Sequence, residues 1–95
     1  RTRTLRQLAM MFDAKIYISL RESVSDPEGQ TVYKSLKRMG FQSVSKIRTG
    51  KLIHLTLEED SADTAEQAVI TMCEKLLTNP IIEDYQLELA ESAIQ

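Results

Sequence analysis

Two prolines punctuate this chain, and between them they set where its helices begin and end. Asp26-Pro27 is a helix start: the aspartate side chain can accept from the first free amides, and proline at the first helical position gives up no needed hydrogen bond. Asn79-Pro80 is a helix stop, because the residue before a proline is pushed out of the helical region. After Pro27, Val32, Leu36 and Met39 recur at helical spacing with Tyr33 flanking them, and Gly40 is a natural left-handed terminator. Ahead of Pro80, Ala65, Ala68, Val69, Met72 and Leu76 form the stripe expected to be buried in a second helix, with Cys73 beside it. The acids Glu58, Glu59 and Asp60 precede that helix and Asp63 lies in its first turn, where they suit the helix dipole and lack the ligand pattern of a calcium loop.

The remaining segments read as strands. Ala14, Ile16, Ile18 and Leu20 alternate against Lys15, Tyr17 and Ser19. Phe41 to Arg48 is expected to be a second strand, with a bulge or bend because Val44 and Ile47 are three apart. Thr49-Gly50-Lys51 is then a hairpin turn into a third strand, Leu52 to Leu57. Tyr85, Leu87 and Leu89 alternate in a last strand. The order strand–helix–strand–strand–helix–strand predicts a ferredoxin-like α+β fold, an antiparallel sheet with both helices on one face. The other face is left for solvent or a neighbour, so Tyr17, Leu52, His54 and Thr56 are candidates for self-association through the sheet.

A chain of 95 residues suffices for one domain, and a domain that small is helped by association. With 42% hydrophobic and 27% charged residues the chain should fold rather than stay disordered. No apolar run reaches the ~20 residues of a membrane span. The net charge of -2 argues against a nucleic-acid binder. One cysteine allows no internal disulfide and fits a reducing, cytoplasmic setting. Arg1, Arg3 and Arg6 give residues 1–12 a basic character without the apolar core of a signal peptide. Those residues are read as an extension or leader outside the fold, with Met10 or Met11 a candidate start, and 13–95 as the single domain.

Candidate reactive groups are few. His54 stands alone on a strand, without the partners that acid–base chemistry requires. Cys73 lies beside a buried stripe, where thiols are usually inert. Neither belongs to a metal-binding cluster, and no catalytic, cofactor-binding or metal-binding residue is assigned. Arg48, Gly50 and Lys51 match neither the phosphate loop nor the dinucleotide fingerprint. Three readings stand for them: a solvated turn, a partner contact at a hairpin tip, or an anion site. Lys34, Lys37 and Arg38 complement the end of the first helix.

Placed in order, the motifs Lys15-Ile16-Tyr17-Ile18, Asp26-Pro27-Glu28-Gly29-Gln30, Gly40-Phe41 with Val44, Arg48-Thr49-Gly50-Lys51, Met72-Cys73-Glu74-Lys75-Leu76-Leu77 and Asn79-Pro80-Ile81-Ile82-Glu83-Asp84-Tyr85 make a specific set. The chain resembles, from about Ala14 to Leu89, the PurS subunits of phosphoribosylformylglycinamidine synthase. The resemblance implies a non-catalytic small subunit of a purine-pathway ligase that uses ATP, magnesium and glutamine on its other subunits. It implies pairing with itself, as a dimer or dimer of dimers, and a bridge between a large synthetase subunit and a glutaminase so that ammonia passes between them. It also places the Asn79-Pro80 loop near partner contacts, so Asn79 and Pro80 join Arg48, Gly50 and Lys51 as partner-contact candidates. An ACT-type sensor of small molecules shares the strand–helix order, but Gly29 falls inside the helix rather than at the ligand-facing junction. An RNA binder on this topology would need aromatics on the middle strands, where only Tyr17 could serve.

Overall fold

The strand nearest the N-terminus is the middle of the sheet. In the computed structural model, which describes residues 10–92, β1 (Met10–Leu20) pairs antiparallel with β2 (Gly50–Glu59) on one side and β3 (Glu83–Glu91) on the other. Ile16 faces Ile53 and Leu87 across the two ladders. Between the strands run α1 (Pro27–Arg38) and α2 (Ala62–Met72), the latter continuing into a π-helical turn, Cys73–Leu77.

The alternation along β1 sorts its side chains as the sequence suggests. Phe12, Ala14, Ile16 and Ile18 are buried, while Lys15, Tyr17 and Ser19 face out. Against the buried row lie Ala65, Val69 and Cys73, spaced four apart along one side of α2, with Leu77 following. The stripe therefore runs through Cys73 and Leu77. Leu76, expected inside, is 82% exposed, and Met72 is also exposed. The closing turn carries the i→i−5 bond of a π-helix, Thr78 N–H donating to the Cys73 carbonyl at 3.0 Å.

The α+β class and antiparallel sheet stand as read, with three strands in place of four. Residues 41–49 form no strand. Val44 and Ile47 are three apart, so they cannot share one face of a pleated strand, and the segment returns from α1 as an irregular connection. Gly50 is accordingly not the apex of a hairpin but the first residue of β2, opposite Ser19. The domain boundary also moves. Met10, Met11 and Phe12 belong to β1 and Phe12 is in the core, so the fold starts ahead of residue 13; residues 1–9 lie outside the described residues.

The Asp26 cap forms as expected, and α2 has one that the sequence reading did not assign. Asp26 accepts from the Gly29 amide at 3.1 Å, and Ser61 caps α2 through the Thr64 amide at 3.1 Å. Gly40 adopts φ +100, the left-handed conformation that ends α1. The two helices differ in what they cover. Across the inner face of the sheet lies α2, whereas α1 is buried only at Gly29 and adds no residue to the apolar core.

Candidate functional site

The end of the sheet where β1 finishes gathers residues that are far apart in sequence. Asp26 is only 4% exposed, and its carboxylate does more than cap a helix. Thr49 donates to it twice, through its amide to Oδ2 at 2.6 Å and through its hydroxyl to Oδ1 at 2.9 Å. One side chain thus ties the start of α1 to the residue before β2. Gly29 is required by this closeness: a methyl group there would collide with the Asp26 carboxylate and lie 3.1 Å from the Ile47 carbonyl. The amide of Thr49, then that of Gly29, hold the Asp26 carboxyl below its ordinary range, with Arg48 adding a smaller pull in the same direction.

Arg48 seals the same corner. Its Nη2 lies 2.9 Å from the carbonyl oxygens of Arg21 and Val24 and 3.4 Å from that of Leu20. A guanidinium surrounded by backbone acceptors is a fastener for the 20–26 connection. That arrangement corrects the reading of Arg48 and Gly50 as the exposed tip of a hairpin.

The Asn79-Pro80 turn closes the other side. Asn79 Oδ1 accepts from the Ile81 amide at 3.1 Å, and Asn79 N–H donates to Glu83 Oε1 at 2.7 Å. Arg21 donates to the Pro80 carbonyl and lies 3.4 Å from Asp84. Lys51 stands 4.0 Å from Glu83. Lys51, Asn79 and Pro80 are exposed beside one another at this rim, so three of the five partner-contact candidates share a surface. The roles of Arg21, Glu83 and Asp84 there were not legible, since each is an ordinary surface charge until the register brings them together.

Tyr17, Leu52, His54 and Thr56 all lie on the outer face, as read. That face is more polar than the residue types suggest. Tyr17 donates to Glu88 at 3.1 Å, which raises its phenol pKa, and Thr56 donates to Asp13 at 2.8 Å. His54 Nε2 is 3.9 Å from Asp13, with Lys15 opposite. Tyr17 and Leu52, paired across the ladder, form its apolar part.

The chemistry this surface can perform is recognition. Burial, and secondarily Glu74, push the Cys73 thiol up, so it stays protonated at neutral pH. Cys73 should therefore react with a thiol reagent in the native chain at least ~100-fold more slowly than in denaturant, as timed labelling would read. Among the described residues no three His, Cys, Asp or Glu side chains are grouped to hold a metal ion. The glycine that an ACT-type sensor would use is wedged between Asp26 and Ile47, with no room for a ligand.

Residues 13–91 match the model of the family described as PurS, phosphoribosylformylglycinamidine (FGAM) synthase. The chain belongs to the PurS family. It is 44% identical over 85 residues to the PurS subunit of Bacillus subtilis, covering 90% of this chain and all of that one. PurS of Thermotoga maritima superimposes with a TM-score of 0.81 at 34% identity, over 86% of this chain and 94% of the other. A chain of the PurLQS structure from the same organism gives a TM-score of 0.79 at 35% identity, over 84% and 98%. Membership in PurS sets the three-stranded sheet and its two helices in a family of small ligase subunits. It lends nothing to the sensor alternative.

Proposed function

We propose that this chain is a non-catalytic small subunit of phosphoribosylformylglycinamidine synthase in de novo purine biosynthesis. It self-associates, and it bridges a glutaminase and a large synthetase subunit so that ammonia released by one reaches the other. The likeness, over nearly its full length, to a chain from a PurLQS structure carries this reading. The geometry of the site supports it, offering surfaces for recognition and no reacting groups. ATP, magnesium and glutamine are used by the partner subunits, not here, and the complex works in the cytoplasm. No helix among the described residues is long and apolar enough to cross a membrane. Lys51, Asn79 and Pro80 form the rim proposed to touch a partner.

Reconstitution tests the reading. Glutamine-dependent turnover of the two larger subunits should fall at least ~10-fold when this chain is left out, while turnover with added ammonium salt stays unchanged. Equal glutamine-dependent rates with and without the chain would overturn the bridging role.

A further inference from the structure

We propose that Arg21 is a positioning residue for assembly: from the end of the central strand it holds the Asn79–Ile82 turn in the arrangement that a larger subunit engages. The inference rests on the rim proposed above and assigns a role to a residue that is not among the rim's contact candidates.

Arg21 joins three parts of the molecule. Leu20 ends β1 opposite Glu83, so Arg21 is the first residue beyond the ladder. Its amide adds one more bond, to the Ile82 carbonyl at 2.9 Å. Its own carbonyl accepts from Arg48 Nη2 at 2.9 Å and from the Val24 amide at 2.8 Å, which clamps its backbone to the corner described above. From that footing the guanidinium donates through Nη2 to the Pro80 carbonyl, and its Nε lies 3.4 Å from Asp84 Oδ1. The corner, the turn and the last strand therefore meet at one side chain.

The turn depends on this bracket for its orientation. Its internal bonds close it on itself: the Ile82 and Glu83 amides donate to the Asn79 carbonyl at 3.1 and 2.8 Å, and the Ile81 amide donates to Asn79 Oδ1. None of them sets its angle to the sheet. Pro80 has no amide with which to make such a tie, and Ile81 at the crown is 80% exposed. The bonds from Arg21 fix that angle. Glu83 carries the setting across to Lys51, because its side chain, only 15% exposed, accepts from the Asn79 amide at 2.7 Å and stands 4.0 Å from Lys51.

Magnitudes separate positioning from stability. The Arg21 side chain is half-exposed and that of Asp84 more so, and contacts this wet contribute little to the folding free energy. Their effect is on freedom. A turn left unbraced has to be ordered when a partner binds, and a braced one has already met that cost. Loss of Arg21 should thus weaken assembly and leave the fold alone, the reverse of what its neighbour Arg48 does.

The test titrates the parent chain or Arg21→Met into the two larger subunits and follows glutamine-dependent turnover. Methionine keeps the stem and removes the donors. The chain concentration giving half-maximal turnover should rise at least ~10-fold, while the rate at saturation stays within about twofold of the parent's. The melting temperature of the variant alone should fall by no more than about 3 °C. Amide exchange in the isolated variant should quicken at least ~10-fold at Ile81 and Ile82 and stay unchanged at Ile16 and Ile18 in β1. An unshifted half-saturation point would overturn the assignment, as would unchanged exchange in the turn. A larger loss of melting temperature would do the same, since it would make Arg21 a fastener of the fold. A parent that stimulates beside a variant that titrates identically removes Arg21 and leaves the bridging role standing. A parent that gives no stimulation overturns the bridging role and takes this inference with it.

Discussion

Arg48→Glu should lower the melting temperature of the isolated chain by about 10 °C or more, while Lys51→Glu, three residues on, should change it by no more than about 2 °C. The two cations look equivalent in the sequence, but their surroundings differ. Arg48 donates into the carbonyls of Arg21 and Val24 and stands beside Asp26. A glutamate there would leave those carbonyls facing a negative charge, and charged hydrogen bonds of this kind contribute about 1.5–3 kcal/mol each. Lys51, itself exposed, stands 4.0 Å from Glu83, at the outer limit of an ion pair, where such contacts contribute little. Differential scanning fluorimetry of the two variants checks the contrast. Pull-down with the larger subunits then checks whether Lys51→Glu weakens assembly while the fold stays intact. Equal melting temperatures would remove Arg48 from its role as the fastener.

The second large effect is a change in acid sensitivity at Asp26. Its carboxyl is held below the ordinary range by the Thr49 and Gly29 amides. A group whose folded pKa is depressed stabilises the fold above its unfolded value, near 3.9, and loses that contribution as pH falls through the folded value. The unmodified chain should therefore lose melting temperature steeply on acidification from about pH 4.5 downward, in part through Asp26. Asp26→Asn should be less stable at pH 7, because a neutral amide cannot hold both Thr49 donors and the Gly29 amide as a carboxylate does. The gap between the two should narrow as the pH falls below 4. Melting curves from pH 7 to pH 3 report it, and parallel profiles would show that Asp26 is not the titrating lock.

What could be read from residues alone followed the range of the interactions. The cap at Asp26, the stop before Pro80 and the alternation of β1 are local, and each appears as read. Residues 41–48 form no strand because Val44 and Ile47 are apolar without alternating, and period rather than apolar content specifies a half-buried strand. The stripe on α2 was placed one residue off at its C-terminal end. A cysteine was given too little weight as a core residue, and Cys73 and Leu77 continue the four-residue step that Leu76 breaks. The corner lock was invisible for a different reason. Asp26 and Thr49 are 23 residues apart, and a capping residue gives no sign that its carboxylate has further donors. The self-association candidates were placed on the correct face, but the hydrogen bonds from Tyr17 to Glu88 and from Thr56 to Asp13 depend on a register no local pattern specifies.

Having the earliest-synthesised strand at the centre of the sheet has a kinetic consequence. Ile16 meets Ile53 and Leu87, so one partner leaves the ribosome 37 residues later and the other 71. Until the last strand is released, the newborn polypeptide holds its most apolar segment with an open flank, in the condition that recruits chaperones or mispairs with neighbouring nascent chains. Release of β3, Glu83–Glu91, is thus the step that commits the sheet to its native topology.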